Sequence, residues 1–210
     1  MSKKNKKRQC PALDTVIDSA DCGANRHSKY PCPASCQFSP YNPDNYGQLL
    51  EIEEKVDNIL FKRGIDHPYF ENQLAEALHR NGKEEFKLTG NFVNTLHREV
   101  DEAGETLFES WEKARYKGLK NDEIVLLGYK NSMRISVIEI QRIIDHQTVI
   151  VQDLLDETSQ PRKMVDRSLS ARACRFQTLL AYIYSTPDFD RIHGAAYLIP
   201  DIPGITAVET

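Results

Sequence analysis

Apolar residues recur at two different periods along this chain, and the switch between them divides it. After Pro43, Leu49, Ile52, Val56, Ile59 and Leu60 are spaced by threes and fours, the signature of a helix with one buried stripe. Asp44 is placed to cap that helix and Gly64 to stop it. A second helix is predicted from Pro68, with Phe70, Leu74, Ala77 and Leu78 inside and Gly82 at its end. A third is predicted over 89–117 from Phe92, Val93, Leu96, Val100, Ala103, Leu107, Trp111 and Ala114. Gly104, costly inside a helix, marks a bend or a close approach there. Residues 122–128 add a short helix.

From Met133 the period shortens to two. Arg134 to Ile140 alternates, and Thr148 to Leu155 follows across Asp145-His146-Gln147, a hairpin turn. Residues 163–169, 176–185 and 192–200 are three further candidate strands. Ile143 to Leu155 also fits an amphipathic helix, but three successive β-branched residues, Val149, Ile150 and Val151, favour a strand. Five short strands in about 70 residues predict a small antiparallel β-barrel of OB-like or SH3-like kind. Cys174 falls in one of them and is expected to be a small core residue.

Before Pro43 neither period is present. Residues 1–9 are basic and polar and are expected to be disordered. Residues 10–43 are rich in Pro, Ser, Asp and Asn and bury too little to order themselves without a staple. The fold class is therefore α+β, in four parts: the basic tail 1–9, a Cys-rich segment 10–43, a helical domain 44–130 of three or four helices, and the barrel 131–210.

Cysteines supply the staple. Four of five fall together as Cys10-x11-Cys22-x9-Cys32-x3-Cys36. Four thiolates among turn residues suit one tetrahedral ion, and soft sulfur selects Zn²⁺ or an iron–sulfur cluster over hard cations. His27 is a fifth candidate that can replace one thiolate. Zinc is preferred because no polar or aromatic grouping nearby suggests redox work. The competing readings are unrelated reduced cysteines and disulfides. No apolar stretch follows the basic start MSKKNKKRQC and no run approaches the ~20 residues of a membrane span. A cytoplasmic location follows as an expectation, and there clustered cysteines hold metal more often than they pair.

Charge and motif searches narrow the function. Residues 1–36 carry seven Lys/Arg against three Asp, so Lys6, Lys7, Arg8, Arg26 and Lys29 form a candidate nucleic-acid patch around the cysteines. In the barrel, Arg162, Lys163, Arg167, Arg172 and Arg175 cluster between the third and fourth strands. Glu76-x-x-His79 is half of a di-iron motif whose other half is missing. His97, Glu99, Asp101 and Glu102 read as a solvated helix face. Phosphate-binding loops, nucleophile elbows and zinc-protease motifs are all absent from the sequence.

The string CPAL…DCGANRHSKYPCPASCQFSPYNPDNYGQLLEIEE resembles the start of a group of uncharacterised bacterial proteins, many of which carry a SEC-C zinc motif at their far end. Their pattern falls here on Cys10, Cys22, Arg26, Cys32, Cys36, Pro43 and Tyr46, and DRSLSARACRFQTLLAYI is similar to their middle region. The resemblance implies zinc in the Cys-rich segment. It implies no activity, and the cysteine-dense SEC-C tail does not occur in these 210 residues. The leading expectation is a non-catalytic zinc-binding adaptor with a protein partner and no membrane partner. A nucleic-acid-associated factor, and an enzyme whose residues meet only in the fold, are the alternatives.

Overall fold

Asn42, not Asp44, begins the first long helix: its side chain accepts from the Asp44 N–H and starts a 3₁₀ turn, Pro43–Asn45, that runs straight into helix α2, Tyr46–Ile65. The computed structural model describes residues 6–33, 35–65, 100, 103–156, 158 and 160–200. The helix predicted over 68–82, and with it Glu76 and His79, lies outside the described residues. So do His97, Glu99, Asp101 and Glu102.

The chain divides into two units, one of residues 1–133 with 185–188, the other of 134–184 with 189–210. In the first unit, strands β1 (Lys7–Cys10) and β2 (Thr15–Asp18) form an antiparallel hairpin, and helix α1 (Ser19–Asn25) follows directly. The tail expected to be disordered over 1–9 is thus a strand from Lys7 onward, and the Cys-rich segment has regular structure of its own. A pairing partner five to eleven residues downstream supplies what composition alone did not reveal.

Of the helix predicted over 89–117, residues 89–99 lie outside the described residues, and 103–106 are not helical. Gly104 stands at φ 77°, a left-handed turn and not a helical bend, and Val100 bridges Thr106. Thr106 then caps a new helix α3, Leu107–Lys113, through a reciprocal capping box with Glu109. Helix α4, Asn121–Asn131, is longer than the short one predicted. It packs against α2, where Leu49, Val56, Leu60, Leu126 and Leu127 are all buried. Ion pairs Lys55–Glu123 and Lys130–Asp57 flank that seam.

The second unit is a closed barrel of β3 (Arg134–Ile143), β4 (Thr148–Asp153), β5 (Arg162–Val165), β6 (Thr178–Ser185) and β7 (Asp190–Ile199). Strand order around it is β3-β4-β5-β7-β6. Every second residue faces inward: Ile138 and Ile140, Val149 and Val151, Leu179, Ala181 and Ile183 meet Met164 in one core. The barrel is not wholly antiparallel as expected, since β5 and β7 pair in parallel at Met164 and Asp190.

Residues 166–169, expected to prolong the third strand, instead start helix α5 (Arg167–Arg172), because the Asp166 side chain accepts from the Leu169 N–H and caps it. Leu169 and Ala173 pack on the barrel core. Cys174 is exposed, in the turn after α5, and is no core residue.

Candidate metal centre

Each cysteine is placed by a local backbone device. Cys10 ends β1 opposite Thr15, and the intervening turn closes with Asp14 in the left-handed region at φ 49°. Asp18 caps α1 by accepting from the N–H groups of Ala20 and Asp21, both at 2.8 Å, which fixes Cys22 on the helix. After α1 the chain reverses at His27, also left-handed at φ 57°. The Tyr30 hydroxyl donates to Asp21 at 2.9 Å. Cys32 N–H donates to the Tyr30 carbonyl at 2.8 Å, and Cys36 N–H to that of Pro33 at 3.0 Å.

All five cysteines are free thiols; Cys10, Cys22 and Cys36 are buried and Cys32 is half-buried. Burial pushes the Cys32 thiol above its usual range. A hydrogen bond from the His27 backbone opposes this, and the nearby Cys36, Cys10 and Cys22 raise it further. Among the described residues, however, no three His, Cys, Asp or Glu side chains stand together as a ligand set.

Cationic groups border the cluster. Arg8 donates from Nη1 to Cys22 Sγ at 3.7 Å while its guanidinium lies 4.6 Å from the Phe38 ring centre. Arg26 clamps the Asp122 carboxylate with two nitrogens, Nε to Oδ1 at 2.6 Å and Nη2 to Oδ2, and donates to the Phe38 carbonyl. Burial alone lowers the Arg26 pKa; the Asp122 hydrogen bond and charge, with Cys22 and Tyr41, outweigh it and raise the pKa above its ordinary value.

The start of α4 holds the segment. Besides Asp122, Asn121 donates to the Arg26 carbonyl at 2.8 Å and accepts from Ser28 at 2.6 Å, and the Tyr41 hydroxyl donates to the Asp122 carbonyl. Sequence reading did not find Asn121 and Asp122. Two polar residues opening a helix look like ordinary capping, and only the fold brings them to Arg26.

The other candidates sort by burial. Lys6, Lys7 and Lys29 are exposed, but Arg8 and Arg26 are committed internally, so the nucleic-acid patch around the cysteines loses two of its five members. His27 Nε2 lies 2.6 Å from Ser39 Oγ, and its ring meets Tyr41 edge-on at 5.1 Å. That pair is no nucleophile and base: Ser39 is 1% exposed and its Oγ accepts from the Tyr41 N–H. Compared with protein-family models, with curated proteins and with solved structures, the chain matches none. Among the described residues no helix is long and apolar enough to cross a membrane.

Proposed function

We propose that the chain is a non-catalytic binding protein, an adaptor, whose N-terminal segment is stapled by one Zn²⁺ on Cys10, Cys22, Cys32 and Cys36. The observation that carries this reading is the burial of three of the four free thiols, Cys10, Cys22 and Cys36, with Cys32 half-buried beside them, in a short segment with little core of its own. The donor set suits the ion: four soft sulfurs, with the His27 amide bonded to Cys32 and Arg8 beside Cys22 to stabilise thiolate charge. Bound zinc would supply cross-linking only. With four sulfurs the ion has no open position for substrate. An iron–sulfur cluster is the runner-up, and a protein is the favoured partner in a reducing compartment such as the cytosol.

Elemental analysis of the chain purified without chelator tests the reading. About one zinc per chain is expected, falling to background in Cys32→Ser while far-UV circular dichroism still shows the helices. Zinc at full stoichiometry in Cys32→Ser, or no metal in the parent chain, overturns it. Iron with sulfide in place of zinc substitutes the cluster.

A further inference from the structure

Five basic residues cluster in sequence across β5 and α5, and the fold divides them by what they touch. Arg162 holds Asp190 through Nε, at 3.0 and 3.1 Å, and Arg167 donates to Gln147 at 3.4 Å. Arg172 and Arg175 pair with no carboxylate among the described residues, nor does Arg142 on β3. Of the other nearby acids, only Asp166 is paired with an arginine among the described residues. Asp145 accepts from the Gln147 N–H, and Asp166 accepts from Leu169 and Arg191. Arg142, Arg172 and Arg175 thus stand without an ion pair among the described residues, while Asp145 and Glu139, bonded to neutral groups, keep their negative charge nearby.

An aromatic ring is displayed beside Arg175. Phe176 is 57% exposed, and the Arg175 guanidinium lies 4.5 Å from its ring centre. Its φ of 67° is left-handed, an outlier for a bulky residue. The turn enforces it: Phe176 N–H donates to the Ile140 carbonyl at 2.7 Å, Ile140 N–H donates to the Gln177 carbonyl at 3.0 Å, and Cys174 N–H donates to Gln177 Oε1 at 3.1 Å. Two adjoining hollows flank the turn. One of about 300 Å³ is lined by Arg175 and Phe176, and one of about 510 Å³ by Arg172 and by Asp166, which Arg191 neutralises; Gln177 and Leu198 belong to both.

We propose that this corner of the barrel binds single-stranded nucleic acid, with one base stacked on Phe176, phosphates on Arg172 and Arg175, and the Gln177 amide on a base edge. The three kinds of group match the three parts of a nucleotide. A stacked base needs a free π-face, which a duplex does not offer at its bases. An acidic peptide would match the arginines but gives no reason for a strained, solvent-facing phenyl ring. The proposal concerns the barrel unit alone and stands or falls apart from the metal.

The test is fluorescence anisotropy of the full chain with labelled 12-nucleotide single strands of RNA and DNA, from 50 to 300 mM salt. Saturable binding that weakens with salt is expected. Arg172→Gln with Arg175→Gln reduces the log–log salt slope by about 1.4, at roughly 0.7 per phosphate contact. Phe176→Ala weakens binding at least about fivefold with the slope unchanged, as loss of one stacked base does. A thermal melt checks that each variant is folded; should Phe176→Ala not fold, the double arginine variant decides. The proposal is overturned by absence of saturable binding at 50 mM salt, by variants that bind like the parent, by duplex DNA binding as tightly as the single strand, or by polyglutamate competing equally well.

Discussion

At the scale of single residues, Arg26 ties the Cys-rich segment to α4 by clamping Asp122. Its side chain is 13% exposed and that of Asp122 18%, so removing the cation strands a largely desolvated carboxylate. Breaking a fully buried pair costs about 3–5 kcal/mol. Since these two retain some water, Arg26→Met is expected to cost about 2–4 kcal/mol, read as a lower urea midpoint. His27 is governed by burial, which lowers its pKa; Arg26 lowers it further, against weaker opposition from Asp122 and Asp188. A base whose folded pKa lies below its unfolded value of about 6.5 binds its proton more readily when unfolded. Stability should therefore decline as pH falls through about 6.5 and level off below the folded pKa. Urea midpoints from pH 8 to 5 check this, and His27→Gln should flatten that part of the profile; an unchanged slope would remove His27 as its source.

At the scale of elements, the helices begin where side chains can satisfy their first N–H groups. Thr106 and Glu109 close a capping box at α3 after the Gly104 turn, so Thr106→Ala is expected to cost about 1 kcal/mol in thermal or urea unfolding. In the barrel, Ile138 is fully buried and pairs with Leu179 on β6 and Asp153 on β4. Ile138→Ala should cost about 2–5 kcal/mol, because flanking strands tied on both sides collapse poorly into the cavity. A cost under about 1 kcal/mol in chemical denaturation would mean that the barrel repacks freely there.

At the scale of the whole molecule, each unit has an apolar core, one between α2 and α4 and the other inside the barrel. Hydrogen exchange on the chain loaded with the proposed Zn²⁺, before and after chelation, would separate that ion's role from that of the cores. Exchange is expected to accelerate over 7–43 and to stay the same over 134–199. The segment should not melt fully, since the Arg26–Asp122 clamp and the contacts of Ser28 and Tyr41 to α4 do not depend on metal. Uniform acceleration across both units would show that the ion stabilises more than its own segment.

Whatever depends on near neighbours was legible in the residue order. The α2 stripe of Leu49, Val56 and Leu60, the alternation of β3 and β4 and the hairpin turn at Asp145-His146-Gln147 follow from periods and turn chemistry. What depends on distant partners was not. The β1 strand requires β2; α5 replaces a strand because Asp166 caps it and Leu169 packs on the barrel. The parallel β5–β7 pair arises only when the sheet closes. Four cysteines announced a candidate staple, but only tertiary structure could join Arg26 to Asp122, 96 residues away, or separate the arginines that hold carboxylates from those left facing water. Periodicity records which side of an element is buried; it holds no record of what lies against that side.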